Sequence, residues 1–267
     1  MSDAVLYDVQ DHIATLTLNR PERLNAFDHD LLTDWVDRLQ EAHLDDDVRV
    51  IVVTGNGRGF CSGANVASES AGAGVLGQRD SIADNRNNLR NSVQPVPRIL
   101  QNIEKPYIAA VNGAAVGAGM DMASMADIRI ASEKAKFGMA YVRMGLVPGD
   151  GGAYWLPRIV GMAKALELMW SGRIFMADEA LAIGYVTKVV PHEDLIAETM
   201  EFAGQIANMP AVSVQLIKRL AYRSAETGPH EALEMAEHAM VIARSTDDAK
   251  EGPLAFMEKR EPNFQGR

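Results

Sequence analysis

The sequence has a single cysteine, Cys61, so no disulfide can form within the chain. That suits a reducing compartment. It has no excess of cations: 26 Lys and Arg stand against 36 Asp and Glu, a formal net charge of -10. A nucleic-acid surface needs clustered Lys and Arg, so no nucleic-acid partner is expected. A phosphorylated small molecule stays open, because a few local cations can hold one. The longest apolar runs fall far short of the roughly 20 residues that span a bilayer. The richest, "YIAAV", has the length of a buried strand. No basic stretch followed by an apolar core opens the chain, so no secretory signal is expected and a cytoplasmic location is. His, Cys and carboxylates nowhere cluster at metal-ligand spacing, so no metal is expected. The six histidines are scattered and mark no triad.

What is present reads as an α/β protein. At 267 residues it fits one large domain, and no linker splits it. Two strand-like runs fill residues 4–18. Asp28 then caps a helix on which Leu32, Trp35, Val36 and Leu39 repeat at helical spacing. "VRVIVVTG" and "YIAAVNG" are nearly all apolar, as strands covered on both faces are, and "DIRIAS" is a shorter case. Residues 67–97 are rich in small residues and close with "QPVPR". They read as a mobile binding loop or lid with a broken helix. After residue 160 the pattern is mainly helical, with amphipathic runs over 192–208, 211–226 and 229–244.

Two glycine turns carry the chemical interest. "GFCSGANVA" follows the strand "VRVIVVTG", and "NGAAVGAGMDM" follows "YIAAV". Each leaves the C-terminal end of a buried strand, where open α/β sheets bind ligands. The second is not a dinucleotide finger: Met122 stands where the third glycine of G-x-G-x-x-G belongs. Neither turn is followed by G-K-[ST], which excludes a P-loop.

With its flanks, this pair of turns resembles the crotonase superfamily of enoyl-CoA hydratases and isomerases. The ordered matches run from "NRPERLNAF" through "GFCSGAN", "KPYIAAVNGAAVGAGMDMASMADIRIAS" and "AKFGMAYVRMGLVPGDGGAYWLPRIVG" to "EGPLAFMEKREPNF". The resemblance implies a crotonase-like ββα spiral core with an acyl-CoA site over residues 1–200. It implies a C-terminal helical region over 201–267 used for trimerisation, in a homotrimer or dimer of trimers. It implies an acyl-CoA substrate and no separate cofactor, coenzyme A being part of the substrate. Two backbone N–H groups, at Ala64 and Ala118, would form the oxyanion hole. Arg23, Leu24, Ala26, Asn65 and Val66 would lie along coenzyme A, with Phe256 and Lys259 reaching it, often from a neighbouring subunit.

The acid–base set departs from the family. Typical hydratases carry two glutamates that act on water and on the α-carbon proton. Asp121 holds the first position; it also reads as an acid that only offsets the helix dipole. Tyr141 holds the second, and a phenol with an ordinary pKa near 10 is a poor base. It reads as a hydrogen-bond donor or as pocket lining. Asp150, in "VPGDGGAYW", borders the region where some isomerases place their acid, or is a plain turn aspartate. Arg143 is near enough in sequence to pair with an acid, and Cys61 reads as packing. The candidate catalytic set is therefore Asp121, Asp150 and Tyr141. The expected activity is hydratase or isomerase, tilted towards isomerase. The competing reading is a non-catalytic acyl-CoA-binding or scaffold protein.

Overall fold

The computed structural model describes residues 3–65 and 81–266. Strands β1 (Val5–Gln10) and β2 (Ile13–Leu18) form a hairpin. Helix α1 (His29–Leu44) starts at Asp28, whose carboxylate accepts from the Leu31 N–H at 3.1 Å. The apolar run becomes β3 (Val50–Gly55), buried at every residue. Its alternation explains why. Ile51 and Val53 join Trp35 and Leu39 of α1 in the main core, whereas Val50 and Val52 face the opposite layer. Each such side chain stabilises the fold by roughly 1.5–3 kcal/mol when fully buried.

A pattern then repeats. Strand β3 is followed by β4 (Gly59–Cys61), β5 (Tyr107–Val111) by β6 (Ala114–Val116), and β7 (Ile128–Ser132) by β8 (Lys136–Gly138). The first member of each pair enters a six-stranded sheet, completed at its far edge by β10 (Lys188–Val190), of order β1-β2-β3-β5-β7-β10. The second enters a four-stranded sheet that β9 (Phe175–Met176) closes, of order β4-β6-β8-β9. The chain is thus a spiral whose turns stack in parallel, with corners where it passes between sheets. Side chains sew the first corner: Asn112 bonds to Gly55, Gly57 and Gly59, and Asn25 to Gly59.

Over residues 81–97 the expected broken helix is present. Ser81 caps helix α2 (Ile82–Ser92), and α3 (Pro95–Leu100) follows. The helix breaks at 93–94, and Pro95 and Pro97 lie in the first turn of the helix that restarts there, where no N–H is required. The rest of that expected loop, and Val66, lie outside the described residues.

Helix α4 (Ala118–Ser124) follows β6, and α5 (Gly152–Val160) precedes α6 (Met162–Ser171) and α7 (Ala177–Ala182). Helix α8 (Leu195–Ala207) covers the outer face of the large sheet through Leu195, Ala203 and Ala207. It crosses residue 200, so core packing runs to its last residue. Helices α9 (Ala211–Ser224), α10 (Pro229–Arg244) and α11 (Asp248–Glu258) complete the chain. They bury little: α9 has no fully buried residue and α10 only Ala239. Leu233, Val241, Phe256 and Met257 are all strongly exposed. Among the described residues, no helix is long and apolar enough to cross a membrane.

Candidate active site

The two glycine turns meet. Phe27 bridges Ala64 in parallel register: the Phe27 N–H donates to Gly63 at 2.9 Å, and the Asn65 N–H donates to Phe27 at 3.1 Å. That pairing uses the groups on either side of Ala64 and turns its own N–H the other way. On the other strand pair, Ala118 is the first residue of α4, so its N–H has no partner within the helix. Neither N–H donates to any acceptor among the described residues.

Close approach explains the glycines around them. A methyl on Gly63 (φ +90°) would lie 3.0 Å from the Val116 carbonyl oxygen and 3.3 Å from the Ala118 nitrogen. One on Gly119 would lie 1.9 Å from the Cys61 carbonyl oxygen. Gly117 faces open space instead; its φ of +56° is what calls for glycine. Cys61 is fully buried behind this turn, and burial pushes its thiol up to about 12, so it packs and does not react.

The segment "RLNAF" lies against the same turn. The Ser62 N–H donates to Leu24 at 3.0 Å, the Ser62 hydroxyl donates to Arg23, and Asn25 locks the segment to Asn56 and Gly59. Arg23 is exposed, Leu24 half-buried, and Ala26 and Asn65 are buried. The structure thus brings Arg23, Leu24, Ala26, Ala64 and Asn65 together. Phe256 and Lys259 stand apart at the exposed end of α11, and no hydrogen bond or ion pair among the described residues links them to this group.

The three acid–base candidates converge. The Tyr141 hydroxyl oxygen lies within hydrogen-bond distance of both acids, 2.7 Å from Asp121 Oδ2 and 3.0 Å from Asp150 Oδ2. Asp121 comes from α4, Tyr141 from the 3-10 turn Ala140–Met144, and Asp150 from the loop before α5. Gly152 makes room for them: a methyl there would lie 1.9 Å from Asp121 Oδ1. Asp121 is fully buried. Burial, with the Asp150 charge second, raises its carboxyl to about 8. The Tyr141 hydroxyl pulls the other way, as do the N–H groups of Gly152 and Asp150, which fall short of full hydrogen bonds to it. Burial also raises Asp150, to about 6, against the same hydroxyl. Tyr141 is raised far above an ordinary phenol, by burial and then by the two acids. Arg143, exposed, pairs with neither acid.

Asp150 also lines a cavity of about 570 Å³. Its walls include Leu100, Met125, Trp155, Lys218 and Tyr222, but not Ala64 or Ala118. The wall from α9 is fixed by Asp127. That carboxylate accepts from the Tyr107 N–H at 2.7 Å and the Tyr222 hydroxyl at 2.8 Å, and pairs with Lys218 at 2.8 Å. Sequence reasoning missed Gly152 and this wall. The doubled glycine after Asp150 was a readable signal for the first. Among the described residues no His, Cys, Asp or Glu group could hold a metal.

A family model described as enoyl-CoA hydratase/isomerase matches residues 8–267. The chain is 35% identical to the crotonyl-CoA hydratase of Syntrophomonas wolfei, with 97% of each chain covered. It is also 35% identical to the 1,2-epoxyphenylacetyl-CoA isomerase of Escherichia coli, with both chains covered in full. The solved enoyl-CoA hydratase of Bacillus anthracis superposes with a TM-score of 0.90 at 30% identity, covering 99% of this chain and 100% of that one. Similarity alone therefore does not separate hydratase from isomerase.

Proposed function

The chain belongs to the enoyl-CoA hydratase/isomerase family, and on that premise we propose that it shifts the double bond of an enoyl-CoA. The thioester oxygen sits between the N–H groups of Ala64 and Ala118. Asp150, as carboxylate, takes a proton from the carbon next to the thioester. The two N–H groups hold the enolate charge, worth on the order of 3 kcal/mol each. Asp150 then returns the proton to the γ-carbon, which moves the double bond into conjugation. One base suffices for this, whereas syn hydration usually uses two carboxylates. The observation that carries the choice is that Asp150 lines the cavity, whereas Asp121 is fully buried and does not. Arg23, Leu24, Ala26 and Asn65 lie along coenzyme A, and the acyl chain enters the cavity beyond Asp150.

The exposed apolar side chains of α10 and α11 support self-association, which would let Phe256 and Lys259 reach a neighbouring subunit's coenzyme A. The activity test compares hydration of crotonyl-CoA with the 3-enoyl to 2-enoyl shift, using the same preparation. The shift is expected to dominate. Faster hydration would overturn the isomerase reading, and binding without turnover across thioesters would leave a non-catalytic binding protein. Light scattering tests the trimer; a monomer would remove it.

A further inference from the structure

Two carboxyls and one phenol lie in a row, with oxygen separations of 2.7 and 3.0 Å. A phenol has one proton to donate. For both contacts to be full hydrogen bonds, a second proton must sit on one of the carboxyls. With both ionised, two negative charges would share a single donor in a buried site. No hydrogen bond or ion pair joins either acid to a Lys, Arg or His among the described residues. The other titratable groups that face the trio are Cys61, from β4, and Tyr185, from the turn before β10. Burial keeps both neutral.

We propose that Asp121, Tyr141 and Asp150 form a proton store: Asp121 holds a carboxyl proton at neutral pH, Asp150, at the cavity wall, is the ionised member, and Tyr141 connects them. The assignment rests on placement. Both acids are buried and the Oδ1 of each has no hydrogen-bond partner, but Asp121 is fully enclosed and does not line the cavity. The Asp121 Oδ1 lies where Gly152 leaves space, and among the described residues no cation pairs with the carboxyl, so enclosure without a charged partner favours the neutral acid. Asp150 is at the cavity wall. Burial raises Asp121 further than Asp150, which is the same order.

The transfer balances. Asp121 gives its proton to the Tyr141 oxygen as the Tyr141 proton passes to Asp150. The trio keeps one negative charge, now on Asp121, and Asp150 becomes an acid. One cavity-facing carboxyl can thus act as base or as acid without a change in total protonation. Tyr141 is here a positioning and relay residue, since it does not line the cavity. Use of the store in catalysis rests on the isomerase reading; its existence does not.

The test is a carbon-13 titration of labelled aspartate carboxyls in the full chain, between about pH 5 and pH 9, across the range where the acids change. Asp121→Asn and Asp150→Asn assign the signals. At neutral pH one neutral carboxyl is expected, lost in Asp121→Asn. Tyr141→Phe, which keeps the ring, should move the Asp150 step upward, because the hydroxyl stabilises its ionised form. It should also lower kcat by about 10- to 100-fold, below the full effect of a general acid or base, with KM little changed. The acid limb of the pH–rate profile should move with the Asp150 step. An ionised Asp121 at neutral pH overturns the proposal, and so does a Tyr141→Phe protein in which no step moves. The wild-type titration decides the first point even if that variant does not fold. Absence of double-bond shift beside a neutral Asp121 would sink the isomerase reading and leave the proton store standing.

Discussion

The two glycine turns and the acid trio are built from different material. The turns present backbone: Ala64 and Ala118 offer N–H groups, Gly63 and Gly119 let the two strand pairs come within contact, and Gly117 supplies the positive φ of the turn. The trio presents side-chain groups, and its geometry depends on three segments arriving together. A backbone site tolerates a change of side chain and fails when the N–H is removed. A side-chain site fails when one oxygen is replaced, even if the fold is untouched.

Asp150→Asn should have the largest effect. The amide keeps the shape but cannot take a proton. We expect kcat to fall about 10²- to 10⁴-fold with acyl-CoA affinity little changed, read by steady-state kinetics and a binding titration. Full activity in this variant would remove Asp150 from the chemistry. Ala118→Pro probes the other half. Proline is well accepted at the first position of a helix, and Gly117 before it is not in the α region, so α4 should form. It removes one donor, and kcat should drop about 10²- to 10³-fold. Circular dichroism checks that the helix persists.

Asp121→Asn separates the two regions by stability. Asp121 is an acid raised to about 8, so between its ordinary range near 4 and that value the folded state holds a proton that the unfolded chain releases. Its contribution to stability therefore falls as pH rises through that window and levels off above it. The variant, always neutral, escapes this. The stability difference, variant minus wild type, should grow by about 1 kcal/mol per pH unit between about pH 5 and pH 8, measured by urea unfolding. A flat difference would mean that Asp121 ionises freely.

How much could be read beforehand follows the same division. Gly63, Gly117 and Gly119 were visible as turns because backbone geometry dictates the residue type. β3 and β5 were visible because burial on both faces leaves only apolar residues. β4, β6 and β8 were not, since three residues are too few for a period to show. The broken helix was visible too, because Pro95 and Pro97 can open a helix but not continue one, and the break falls at 93–94. Asp121, Tyr141 and Asp150 could each be singled out, but not their contact. Nothing local reports that a tyrosine 20 residues from one acid and 9 from the other will lie between them.

The smallest effect is expected for Ala118→Gly, and it is the sharpest test of the backbone half. The substitution keeps the N–H and removes only a methyl. That methyl belongs to the main core, so its loss costs about 0.8 kcal/mol of burial. Glycine in a helix adds about 0.5–1 kcal/mol through the freedom it regains on unfolding. Stability should therefore fall by about 1–2 kcal/mol in urea unfolding. If the Ala118 N–H holds the enolate as proposed, kcat should change by no more than about threefold, because that donor is still in place. A loss as large as that of Ala118→Pro would show that the methyl shapes the acyl pocket, which would make Ala118 a side-chain determinant and erase the contrast with the acids.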